Sequence, residues 1–118
     1  MSEADERGRR PRSSPELNRL RAEIDELDRR IVSLLNDRAE LTRAVGHEKA
    51  HIWRRAIRDR DREREVLLRV SIVNEGPMPQ ADLLGIYRRL IASARALEAA
   101  ERARLARDDD EPPEPPGA

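Results

Sequence analysis

From Leu17 onward, apolar residues recur at alternating spacings of three and four: Leu17, Leu20, Ile24, Leu27, Ile31 and Leu34, then Leu41 and Val45. That period belongs to one face of an α-helix. Ser14 reads as its N-cap and Pro15 as its first residue. The pattern runs at least to Val45 and extends towards Trp53. A helix of over thirty residues is about 45 Å or more long. A single small chain cannot bury such a stripe, so a second chain is the expected cover.

The rest of the chain reads as two further helices. Residues 54–63 interrupt the pattern, with Asp59 or Asp61 as N-cap. A second helix follows, with Val66, Leu67, Val70 and Val73 on one side, and Asn74–Pro79 stops it through Gly and Pro. A third runs from about Gln80 to Arg104, with Leu83, Tyr87, Leu90, Ala94 and Leu97 spaced for burial. The expected fold is all-α, long–short–long, assembled as a homodimer. The expected organisation is a disordered tail over 1–14, a helical domain over 15–105, and an acidic, Pro-rich disordered tail over 106–118.

Composition agrees and excludes alternatives. The 118 residues are 41% charged and 2% aromatic, with no Phe and no Cys. Such a chain favours helices over sheet and has no thiol nucleophile, thiolate metal site or disulfide. The lack of Cys suits a reducing cytoplasm. No apolar run reaches the roughly 18 residues that span a bilayer, and the first residues lack the apolar core of a secretory signal. Net charge is zero; the mild positive bias of the helical body is too weak to argue for nucleic acid.

Polar residues at inward positions carry the functional signal. Position 38 should be apolar by the spacing, and it is arginine. A seam arginine snorkels to water, sets register against an acidic partner, or meets a ligand. Lys49 follows eleven residues later, within about 20° on the same face and about 16 Å along the axis. With no acidic residue on that strip between them, the missing anion reads as a ligand. Arg21 lies about 100° around the helix from Arg38 and about 26 Å away. It is a surface arginine, or it serves such a site from a partner chain. Glu98 ends the strip Tyr87, Ile91, Ala94, as the edge of the core or as a functional acid; spacing does not choose. His47 and His51, at i and i+4, lack a third companion at metal-site spacing and read as solvated.

The set Leu20-Arg21, Ile24-Asp25, Leu27-Asp28, Leu34-Leu35, Arg38, Val45-Gly46, Lys49 and Asp59-x-x-Arg62-Glu63 resembles the all-helical chorismate mutases, the AroQ class. Ile86-Tyr87-Arg88-Arg89-Leu90-Ile91 is similar to the family's third helix. The resemblance covers about residues 16–100. It implies an intertwined dimer with two equivalent sites and, as activity, the rearrangement of chorismate to prephenate in phenylalanine and tyrosine biosynthesis, without metal or cofactor. By the same resemblance Arg38, Lys49, Asp59, Arg62, Glu63 and Glu98 form one site, completed by Arg21 of the other chain. Arg38 would hold the ring carboxylate and Arg21 the enolpyruvyl carboxylate. Lys49 would reach that carboxylate and the ether oxygen; Asp59 and Glu63 would position the ring hydroxyl, and Arg62 would add to the positive lining. Glu98 stands where many members have glutamine, and must be protonated to donate to the ether oxygen. Ala94 replaces a serine. The usual proline before Asp59-x-x-Arg62-Glu63 is missing, and one extra residue separates Lys49 from Asp59. The sibling activities on this fold are an isochorismate–pyruvate lyase and a 4-amino-4-deoxychorismate mutase. The non-enzyme alternative is a helical dimerisation or nucleic-acid-binding module.

Overall fold

The computed structural model describes residues 12–52 and 59–110, with side chains to residue 108. Trp53, Arg58 and most of both expected tails lie outside the described residues. Three helices follow in order: α1 over Pro15–His51, α2 over Arg60–Val73 and α3 over Gln80–Asp110. Among the described residues there is no strand, and no helix is long and apolar enough to cross a membrane.

Helix α1 begins as its sequence dictates. Ser14 Oγ accepts from the Leu17 N–H at 3.0 Å, satisfying one of the orphan donors of the first turn. Two compact units divide the chain after Asp37. In the first, α1 carries surface ion pairs between Arg19 and Glu16 (2.5 Å) and between Arg29 and Glu26 (2.9 Å). Its apolar stripe is uncovered: Leu27 is 50% and Leu34 64% exposed.

The second unit contains the last turns of α1 together with α2 and α3. Asp59 is the N-cap of α2, its Oδ1 accepting from the Arg62 N–H at 3.0 Å. Asp61, the other candidate cap, lies in the first turn and pairs with Arg64. Val66, Leu67 and Val70 are half-buried as the spacing requires, whereas Val73 is 72% exposed. Val73 is the last helical residue, where the chain turns away at Asn74.

Asn74 organises that turn. Its N–H returns to the Val70 carbonyl at 3.0 Å, and its Nδ2 donates to Met78 O and Gln80 Oε1. Its Oδ1 accepts from the Gly76 N–H at 3.1 Å, with Gly76 at φ +83°, a region that side chains disfavour. Gln80 Nε2 then donates to Ser71 O at 2.9 Å, tying the start of α3 to the end of α2.

Helix α3 buries Ile91, Glu98 and Glu101. It continues to Asp110, beyond the expected end near Arg104. No Gly or Pro occurs between Gly85 and Pro112, and Asp108 is held by Arg104 at 2.9 Å.

Helices α1 and α3 approach closely in this unit. Gly46 is buried, and a Cβ there would stand 3.0 Å from Glu98 Cα and 3.3 Å from Glu98 O. Glycine inside a helix costs about 1 kcal/mol relative to alanine; here it lets two backbones meet. Gly46→Val should therefore destabilise the fold by about 1–3 kcal/mol through overpacking. A lowered urea midpoint with an unchanged slope is the expected result.

Candidate active site

An open cleft of about 420 Å³ lies in the second unit. Helix α1 lines it with Arg38, Leu41, Thr42, Val45 and Lys49, a set spaced for one helical face. Helix α2 and its cap supply Asp59, Arg62, Glu63 and Val66, and α3 supplies Ile91, Ala94, Arg95 and Glu98. Six of the seven residues expected to form a site therefore meet in one cleft. Arg21, the seventh, is exposed and is not among the lining residues.

The cations differ in what they meet. Lys49 Nζ lies 2.9 Å from Glu98 Oε1, and both side chains are well buried. The counter-ion of Lys49, absent from its own helix, thus comes from α3. This corrects the reading that the only anion for Lys49 is a ligand: sequence spacing sees one helix and not its neighbour. Arg38 is half-buried, and among the described residues its guanidinium has no acidic partner. The argument for an anionic ligand rests on Arg38. Arg62 directs its guanidinium to Glu65 at 3.1 Å while its N–H is capped by Asp59. Arg95 Nε stands 3.5 Å from Glu63 Oε1, joining α3 to α2.

Four cationic side chains and three carboxylates line the cleft, so its described lining is positive by one charge, 4 − 3. Apolar groups from all three helices surround these charges, which strengthens electrostatic contacts relative to open water. Such a lining suits an anion with an apolar body and some hydrogen-bond donors.

The family model for chorismate mutase type II matches residues 20–99, spanning both the expected motif and this cleft. The chain belongs to the chorismate mutase type II family. It is 38% identical over 89 residues to a bifunctional chorismate mutase/prephenate dehydratase of Aquifex aeolicus, covering 70% of this chain and 24% of that protein. A protein of the same description from Stutzerimonas stutzeri is 32% identical over 102 residues, covering 83% of this chain and 25% of its own. The chain thus spans about a quarter of the length of these curated relatives.

Beside the cleft lies a second polar cluster that sequence reasoning missed. Glu101 is only 7% exposed, and it meets Arg104 at 2.6 Å, Arg43 at 3.8 Å and His47 Nδ1 at 3.9 Å. His47 and His51 face each other, Nε2 to Nε2 at 3.0 Å, and both are exposed. Among the described residues no three His, Asp or Glu side chains gather as a metal site. The hydrogen bond from Arg104 holds the Glu101 carboxyl below its ordinary value of 4.5; burial opposes this, and the charges of Arg104, Arg43 and His47 reinforce it.

Because the folded value is the depressed one, the stabilisation is present above about pH 4.5 and is lost as pH falls through the folded value. Glu101→Gln should remove that component, lowering stability near neutral pH and flattening its acid limb. Urea midpoints of parent and variant between about pH 3 and 7 should converge at the acid end.

Proposed function

We propose that this chain is a chorismate mutase, rearranging chorismate to prephenate for phenylalanine and tyrosine biosynthesis, and that it works as a homodimer. The observation that carries the reading is the half-buried Arg38, without an acidic partner among the described residues, in a cleft that also holds Lys49 and Glu98. The family, and relatives that are bifunctional chorismate mutase/prephenate dehydratases, support the same reading. Asp59 and Glu63, two carboxylates that accept from a ring hydroxyl, favour chorismate over the isochorismate and amino-deoxychorismate alternatives. A cytoplasmic location belongs to this reading.

The reaction is a concerted shift that breaks an ether bond as a carbon–carbon bond forms. It needs no nucleophile. The protein has two tasks: to hold the chair-like conformer, and to stabilise negative charge growing on the ether oxygen. Arg38 binds the ring carboxylate, and Asp59 and Glu63 fix the ring hydroxyl. Arg62 contributes positive charge at that end of the lining. Lys49, held by Glu98, donates to the ether oxygen, where its contact strengthens as the bond breaks. Glu98 becomes a second donor there when it carries a proton.

A dianion calls for one more cation than the described cleft provides. The uncovered stripe of α1 supplies the route, since burying it against a second copy removes an exposed apolar surface and brings Arg21 of that copy to the enolpyruvyl carboxylate. The lining then carries two positive charges against two carboxylates.

The purified protein should consume chorismate, read as loss of its absorbance, with prephenate as product. Lys49→Ala should lower turnover by roughly a hundredfold, the loss of one oxyanion-type donor at about 3 kcal/mol; a loss below about tenfold would refute the role. Arg21→Ala and Arg38→Ala should each be nearly inactive alone. Co-refolded in equal amounts they should recover about a quarter of the parent's rate, because half of the dimers are mixed and each holds one intact site. No recovery would place both arginines in one chain's site.

A further inference from the structure

Arg95 lines the cleft beside Ala94, on the face of α3 that also carries Ile91 and Glu98. Its side chain is one-third exposed (33%), half-withdrawn from water at the cleft wall. Its guanidinium comes nearest to an acid at Nε, 3.5 Å from Glu63 Oε1, and the Glu63 side chain is only 17% exposed. Among the described residues neither Nη1 nor Nη2 makes a hydrogen bond, and Glu63 is the one acid that pairs with this guanidinium. Lys49 is engaged by Glu98 at 2.9 Å and Arg62 by Glu65 at 3.1 Å, whereas Arg38 has no acidic partner among the described residues and Arg95 meets its own only at 3.5 Å.

An arginine anchored at Nε presents its two terminal nitrogens as a fork, the geometry that matches a carboxylate in two parallel hydrogen bonds. Orientation through Nε lowers the entropy lost when the fork engages. Ala94, next to it, has no polar group to offer, which leaves Arg95 and Glu98 as the polar groups that α3 contributes.

We propose that Arg95 is a further substrate-binding residue, its terminal nitrogens receiving one of the two carboxylates of the substrate while Glu63 holds the guanidinium in place. The inference rests on the chorismate reading. A carboxylate has about four acceptor positions, so it takes this fork and still accepts from Arg38 or Arg21.

The test compares the parent protein with Arg95→Ala, Arg95→Lys and Arg89→Ala, by initial rates on chorismate and by thermal melting. Arg89 is an exposed arginine on the same helix and controls for loss of charge. Arg95→Ala should raise KM roughly ten- to a hundredfold, as for a hydrogen bond to a charged group, with turnover and melting temperature little changed. Arg95→Lys should recover part of that loss, and Arg89→Ala should match the parent. If Arg95→Ala does not fold, Arg95→Gln, neutral and closer in shape, is read the same way. A parent that consumes chorismate while Arg95→Ala and Arg95→Gln keep its KM overturns this inference and leaves the proposed function standing. Loss of turnover at unchanged KM, reproduced by Glu63→Gln, would make Arg95 a mere prop for Glu63 and also overturns it. A parent inactive on chorismate ends both.

Discussion

The contact between Gly46 and the backbone of Glu98 fixes the geometry on which the cleft depends. With a Cβ at position 46 only 3.0 Å from Glu98 Cα, any larger residue would push α1 and α3 apart by a few tenths of an ångström. One turn further along α1, Lys49 then meets the Glu98 carboxylate at 2.9 Å. A side chain between the helices would lengthen that distance and weaken the pair. The buried ion pair thus exists because a glycine, unfavourable for the helix by itself, admits close packing.

Charge within the cleft is arranged by local rules as much as by tertiary ones. Asp59 is positioned by its duty as N-cap, spending Oδ1 on the Arg62 N–H. Arg62 turns its guanidinium to Glu65 on its own helix. Glu63 reaches α3 through Arg95. Each carboxylate therefore has a structural partner before any ligand arrives, which keeps it in place and limits how far it rearranges on binding.

Features that depend on one helix were legible in the sequence. The alternating spacing gave α1, Ser14 gave its start, Asp59 or Asp61 bracketed the start of α2, and the eleven-residue interval placed Arg38 and Lys49 on one face. Features that depend on two helices were not. Glu98 was ambiguous until α3 was seen against α1, and the partner of Lys49 was invisible because it lies 49 positions away in sequence. Glu101 reads as an ordinary charged residue near the end of a helix, yet it is buried by packing against α1. Arg95 and Gly46 had a sequence signal that was not followed, an arginine next to an inward alanine and a glycine inside a strong helix. The end of α3 lies beyond Arg104 because no Gly or Pro breaks the helix before Pro112.

The two buried glutamates of α3 have a joint mechanical effect on α1. Seen down the axis of α1, Lys49 lies about 60° to one side of Gly46, while Arg43 and His47 lie about 60° and 100° to the other. Glu98 takes Lys49, and Glu101, three residues on, faces Arg43 and His47. Gly46 is thus a pivot with an ionic stay on each flank. A roll of α1 about its own axis in either sense stretches one stay as it slackens the other. The direction in which Lys49 points is therefore set by a carboxylate on the facing helix as well as by its own long side chain.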